Sequence, residues 1–257
     1  MVQRDLRIEI PEALLSENAY DAEATEIINL TEDIKRLRLT ILNPAGLHFR
    51  PGQYIQLKSN PYGNVTSSVM RSYSIASPKQ STHRIDLMVR LIPEGICSTW
   101  IHRHLKVGDR ILFAGPRGDF TLRDGQEDIV MVAGGSGMAP MVSMLHELAD
   151  GHSNRSVDYF FGACSEKDLF YLDVMEAFHS RMPVFRFIPV LSQPVSPETC
   201  QSEIGLVTEP FEKYLRKRGP QSLHVYLCGS PIMVQKCRTI AQQAGVTPDA
   251  IFHDPFT

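Results

Sequence analysis

Apolar positions in the first half of the chain recur every second residue. Leu37, Leu39 and Ile41 alternate with Lys35, Arg36, Arg38 and Thr40, and Ile85, Leu87, Val89 and Leu91 form a second alternating set. A period of two marks strands with one face buried and one face wet. Shorter runs of the same kind, QYIQLK (53–58), RSYSIA (71–76) and RILFAG (110–115), lie between turn signals at PG (51–52) and VGD (107–109). Several short strands so spaced predict an antiparallel barrel or sandwich. One helix is expected to interrupt it at about 97–105, with Ser98 or Thr99 as its cap.

The pattern changes at the polar joint RDGQED (123–128). Continuous apolar runs follow at DIVMVA (128–133), VDYFFG (157–162), VFRFIPV (184–190) and LHVYLCG (223–229), separated by helical patterns at 141–149, 173–179, 209–217 and 231–244. Strands that alternate with helices and are apolar throughout predict a parallel sheet covered on both faces. The expected organisation is therefore two domains, 1–124 and 125–257, with 1–20 as a linker-like lead-in and 191–203 as a surface loop. The fold class is β followed by α/β.

Composition narrows the function classes. With 43% apolar and 21% charged residues among 257, the chain can bury a core without disulfides or a structural metal. Lysine and arginine number 26 against 29 acidic residues, and a net charge of -3 supplies no broad basic field for nucleic acid or anionic lipid. There is no apolar run long enough to span a bilayer, and MVQRDLRIEIPE is too charged for a signal peptide, so a cytoplasmic location is expected. Cys97, Cys164, Cys200, Cys228 and Cys237 stand 67, 36, 28 and 9 residues apart. Those gaps match no zinc or iron–sulfur spacing, so free thiols and no metal site are expected, and adjacent His253 and Asp254 near the terminus read as solvated.

The strand at 128–133 runs into Gly134, Gly135, Ser136, Gly137, Met138, Ala139 and Pro140 and then into a helix. An open α/β sheet binds its ligand at that place: glycines let the backbone approach a pyrophosphate, and the helix start offers N–H donors. Pro140 occupies the position of the third glycine in G-x-G-x-x-G, and the same glycines also suit a tight turn with no ligand.

The order F-x-P-G-Q-Y (49–54), R-x-Y-S (71–74), G-x-x-S-T (95–99), G-G-S-G-M-A-P (134–140) and C-G-S-P-x-M (228–233) resembles the ferredoxin-NADP reductase superfamily over nearly the whole chain. F-G-A-x-S with a following F-Y (161–171), and the opening IEIPE, resemble the flavin domain of Na+-translocating NADH:quinone reductase and of multicomponent oxygenase reductases. A plant-type [2Fe-2S] domain typically precedes that domain. Its C-x4-C-x2-C signature is absent here, and IEIPE looks like what would follow it.

The resemblance implies an FAD-binding barrel followed by a Rossmann-like nicotinamide-binding domain. In such proteins NADH or NADPH passes a hydride to flavin N5, and electrons leave singly for an iron–sulfur or other acceptor. It also implies site residues. Arg71 would pair with the FAD pyrophosphate, neighbouring Ser72 would lie at the flavin, Tyr73 would lie along the ring system, and Ser74 would place its hydroxyl near N5. Val89 and Arg90 would contact flavin or adenosine, and Gly95, Cys97, Ser98 and Thr99 would hold the pyrophosphate at a helix start. Cys228, with Gly229 beyond it, would sit beside nicotinamide C4 and shape the hydride donor's pocket, so that Ser74 and Cys228 are the expected catalytic pair. Phe256 would cover the flavin, and a frayed terminal ring is its alternative.

Cys164 stands where relatives often carry arginine, which predicts NADH over NADPH, although Ser165 and Lys167 could hold a 2′-phosphate. The expected partners are a [2Fe-2S] ferredoxin domain or protein, or an oxygenase or respiratory-complex acceptor. A reductase releasing free reduced flavin and a non-catalytic flavin-binding relay subunit are the alternatives.

Overall fold

The computed structural model describes residues 19–195 and 202–256. The first sheet contains β1 (Ala19–Asn29), β2 (Ile34–Asn43), β3 (Tyr54–Lys58), β4 (Met70–Ser74), β5 (Arg84–Arg90) and β6 (Arg110–Arg117) in the order β4-β3-β6-β1-β2-β5. All its strand pairs are antiparallel. A bridge between Ile75 and Leu87, with the Ala76 amide donating to the Asp86 carbonyl at 2.8 Å, joins the two end strands and closes the sheet. Inside lie Leu37, Leu39, Ile55, Leu57, Ile85, Leu87, Val89 and Phe113, the inward set that the alternating pattern predicts.

Helix α1 spans Ile96–Arg103, slightly earlier than expected, and its N-cap is Gly95 rather than Ser98 or Thr99. The reason is a competing bond: the Ser98 hydroxyl accepts from the Ile92 amide at 3.2 Å and is therefore committed to the loop before the helix. Ala19 and Tyr20, placed in the lead-in by the sequence pattern, open β1; the rest of that lead-in, with the IEIPE segment, lies outside the described residues.

The second sheet contains β7 (Asp128–Gly134), β8 (Val157–Ala163), β9 (Phe185–Leu191), β10 (Glu203–Ile204), β11 (Leu223–Gly229) and β12 (Ile251–Pro255), all parallel, in the order β10-β9-β8-β7-β11-β12. Its helices are α2 (Met138–Asp150), α3 (Leu172–Arg181), α4 (Thr208–Arg218) and α5 (Pro231–Gln243). Side chains of β7 alternate between two cores. Ile129, Met131 and Ala133 face α2 and α3, whereas Val130 and Val132 face α4 and α5. Strand order reverses between β7 and β11, which opens a crevice at their carboxyl ends.

Ile34, Ala76 and Met88 of the barrel join the core beneath α2. The buried Ser143 hydroxyl donates to the Ser77 carbonyl at 2.9 Å across the same seam, and Lys79 pairs with Glu147 at 2.7 Å. Apolar packing and a buried hydrogen bond thus hold the two sheets in one arrangement. Among the described residues no helix is long and apolar enough to cross a membrane, and no cluster of His, Cys, Asp or Glu could hold a metal ion. Of the predicted free thiols, Cys97, Cys228 and Cys237 are buried, Cys164 is exposed, and Cys200 lies outside the described residues.

Candidate cofactor site

Strand β4 and the start of α1 enclose a cavity of about 270 Å³. Its wall contains Arg71, Ser72, Tyr73 and Ser74 from β4, Met88 and Arg90 from β5, Gly95, Ile96, Cys97 and Ser98 at the helix start, and Ser136 and Phe256 from the second half of the chain. Most of the expected flavin residues therefore meet in one place. Two do not. Val89 is fully buried in the barrel, where its carbonyl contacts the His102 ring at 2.9 Å, and Thr99 does not line the cavity.

The arrangement suits an anionic, aromatic group. Arg71 donates only to the neighbouring Met70 carbonyl at 2.7 Å and forms no ion pair among the described residues, so its charge is available. Gly95 brings no capping side chain, and a Cβ there would lie 2.6 Å from the Ser98 hydroxyl. The first amides of α1 thus lack intrahelical partners and stay uncovered beside Arg71. Tyr73 lies beside Cys97; burial raises both acids, the thiol to about 11, so both stay neutral at ordinary pH. The Ser74 side chain is buried and has no protein hydrogen-bond partner among the described residues. Phe256 is no frayed terminus: its amide donates to the Gly229 carbonyl at 2.9 Å, which holds the ring in the cavity wall opposite the barrel. A diphosphate beside Arg71 and α1, with a planar ring between Tyr73 and Phe256, fits these residues, and FAD has both parts.

A second cavity, about 450 Å³, opens at the carboxyl ends of β7, β8 and β9. Gly134 and Gly135 form its floor; Gly135 has φ +56, a conformation glycine adopts without strain. A Cβ on Gly137 would overlap the Cys228 carbonyl, so this glycine is required for the helix to approach β11. Met138, Ala139 and Pro140 are buried in the first turns of α2 and anchor the loop from behind rather than lining it. Thr208 is part of the wall and carries a buried hydroxyl with no partner among the described residues, and Lys236 supplies a cation. An orphaned hydroxyl, a glycine floor and a lysine at the switch-point crevice fit a phosphate-bearing dinucleotide.

Cys228 and Gly229 enter neither cavity. The Cys228 side chain is fully buried in the core shared with Tyr159, and burial, with Asp254 nearby, holds its thiol well above the ordinary range. Ser165 and Lys167 also stay out of the dinucleotide wall; the residue of that turn which enters it is Asp168. Thr31, Asp33 and Ile34 from the β1–β2 turn complete the wall, although they belong to the barrel. Asp33, Thr208 and Lys236 lie outside the motifs, and Asp168 lies within the 161–171 motif at a position the motif does not specify, so sequence reasoning does not single them out.

Two family descriptions match the chain: an oxidoreductase FAD-binding domain over residues 21–122 and an oxidoreductase NAD-binding domain over 131–239. The xylene/toluene monooxygenase electron transfer component of Pseudomonas putida is 32% identical, with 99% of this chain and 71% of that one covered. The chain belongs to the ferredoxin-NADP reductase superfamily. Within that superfamily it is also similar to the reductase component of propane 2-monooxygenase from Rhodococcus jostii, at 32% identity over 91% of this chain. It spans 62% of that relative's length. A crystal structure of the Amycolatopsis cytochrome P450 reductase GcoB has the same fold, with a TM-score of 0.84, 28% identity, and coverage of 93% of this chain and 70% of the other. In this chain the FAD-binding match covers the antiparallel barrel and the NAD-binding match covers the parallel sheet that follows it.

Proposed function

We propose that this chain is an NADH-dependent flavoprotein reductase that delivers electrons to a separate redox partner. The observation that carries the reading is the adjacency of the two cavities: Arg90 belongs to the wall of each, and the turn Gly135–Gly137 places Gly135 in one and Ser136 in the other. A donor bound in the crevice and a group bound in the barrel therefore share a boundary. Bound FAD supplies the chemistry the side chains lack, accepting a hydride and releasing electrons one at a time.

The chain's own residues bind and orient. Arg71 and the first amides of α1 hold a diphosphate, and Tyr73 and Phe256 exclude water from a planar ring between them. Ser74 offers an uncommitted hydroxyl to a polar edge of that ring. In the crevice Gly134, Gly135, Thr208 and Lys236 receive the dinucleotide, while the Asp168 carboxylate disfavours a 2′-phosphate by like-charge repulsion and so favours NADH. Cys228 acts from the core, through packing beneath the glycine turn.

Relatives that are electron transfer or reductase components of oxygenases support an acceptor of that kind. The proposed route to it runs through a [2Fe-2S] centre. The test uses one preparation. The FAD-loaded chain should reduce ferricyanide with NADH while containing no iron, and reduction of an oxygenase component should be slow until a [2Fe-2S] ferredoxin is supplied in trans. Stoichiometric iron, or fast reduction of the oxygenase by the chain alone, would contradict this route.

A further inference from the structure

Arg90 occupies an unusual place. Among the described residues it alone lines both cavities, and it is held there from the barrel side. Its Nε donates to Asp33 Oδ2 at 2.7 Å, and Asp33 Oδ1 in turn accepts from the Thr31 hydroxyl at 2.9 Å. Thr31 Oγ1 also accepts from the Ile34 amide at 3.0 Å, and the Leu91 amide donates to the Asp33 carbonyl at 2.7 Å. The β1–β2 turn is thus fastened to itself and to the end of β5, with Ile34 directly opposite Arg90 in the strand register. Because Nε takes the carboxylate, both Nη groups remain for an anion. One of them lies 3.6 Å from where a Cβ on Gly135 would stand, over the glycine turn of the other domain.

We propose that Asp33 is a positioning residue for dinucleotide binding: it orders the Arg90 guanidinium over the Gly135 turn, so that a barrel turn sets the affinity of the crevice in the NAD-binding domain. Two opposing effects are at stake. Asp33 partly neutralises Arg90, which weakens its attraction for a diphosphate, and it also removes the rotamer freedom that Arg90 would otherwise lose on binding. The side chains are 54% and 38% exposed, so solvent screens the neutralisation, whereas the ordering survives exposure. Ordering therefore wins. Because the same guanidinium borders the flavin cavity, occupancy of either cavity biases the other by equal amounts.

The inference rests on the cofactor reading above, and the experiment separates the two. NAD+ is titrated calorimetrically into the FAD-loaded chain and into Asp33→Asn, Asp33→Glu, Arg90→Ala and the Asp33→Asn/Arg90→Ala double variant, with NADH steady-state kinetics and thermal melting alongside. Asp33→Asn should weaken NAD+ and raise KM for NADH about three- to fivefold, the scale of a partly exposed charge pair, with kcat kept within about twofold. Asp33→Glu should recover part of the loss, and Asp33→Asn should change nothing further when Arg90 is already alanine. Unchanged or tighter NAD+ binding in Asp33→Asn, a shift in melting temperature alone, or an equal loss in the Arg90→Ala background would each overturn the proposal. Failure of the unsubstituted chain to bind NAD+ would instead overturn the reading of the crevice itself.

Discussion

The Asp168 carboxylate accepts two hydrogen bonds from Ser165, one from its amide at 2.9 Å and one from its hydroxyl at 3.0 Å. Both go to Oδ2, so the serine hydroxyl is spent inside the turn, and the other oxygen has no hydrogen bond among the described residues where the turn meets the dinucleotide cavity. On the proposed function, the Asp168 carboxylate stands at the cavity wall where Ser165 and Lys167 would otherwise suggest a 2′-phosphate site. Asp168→Asn keeps the shape and an acceptor for Ser165 while removing the charge. The ratio of kcat/KM for NADPH over NADH should rise by about tenfold, as expected for relief of roughly 1.4 kcal/mol of repulsion in a partly screened site. An unchanged ratio would remove Asp168 from cofactor choice.

Arg71 is exposed, and its one hydrogen bond among the described residues is to the neighbouring Met70 carbonyl, so replacing it leaves the barrel intact. Arg71→Ala should therefore melt within about 0.5 kcal/mol of the unsubstituted apoprotein. Its FAD should be held more weakly by about 1.5 to 3 kcal/mol, the cost of losing a charge-assisted hydrogen bond. Flavin fluorescence titration measures this, and equal affinities would place the diphosphate elsewhere.

The buried Cys228 makes a different prediction from the one its motif suggests. Burial, followed by the field of Asp254, keeps the thiol protonated far above neutral pH, so no step in the pH profile of flavin reduction below about pH 9 should belong to it. Cys228→Ser moves a hydroxyl into a fully buried, largely apolar core, which should cost about 1 to 3 kcal/mol in a urea melt. A full-stability Cys228→Ser whose flavin reduction is slowed would restore the direct role at the nicotinamide.

What could be read from the chain was local. R-x-Y-S, G-x-x-S-T and the glycine turn each sit within a few residues, and each reached a cavity wall. Strands with one buried face were legible by period, as were the parallel strands by their unbroken apolar runs. The harder features depend on distant partners. Asp33 and Arg90 are 57 residues apart, and nothing in LTEDI marks Asp33 as the partner of an arginine on β5. Met88 occupies the polar phase of the β5 alternation yet is buried, because α2 covers the outside of the barrel there. Strand β12 carries no clear sequence signal, since IFHDP is short and half polar, as edge strands often are. Ser98 suggested a helix cap, but its hydroxyl was already engaged by Ile92.

On the proposed function, a nicotinamide bound in the crevice reaches a flavin bound in the barrel across the boundary at Arg90 and Ser136. Anaerobic addition of NADH to the FAD-loaded chain, followed by flavin absorbance, measures that transfer. The protein should be yellow with about one FAD per chain and bleach completely with about one equivalent of NADH, because one hydride carries both electrons that a flavin accepts. A chain that retains FAD yet stays oxidised in excess NADH would show that the two cavities do not communicate.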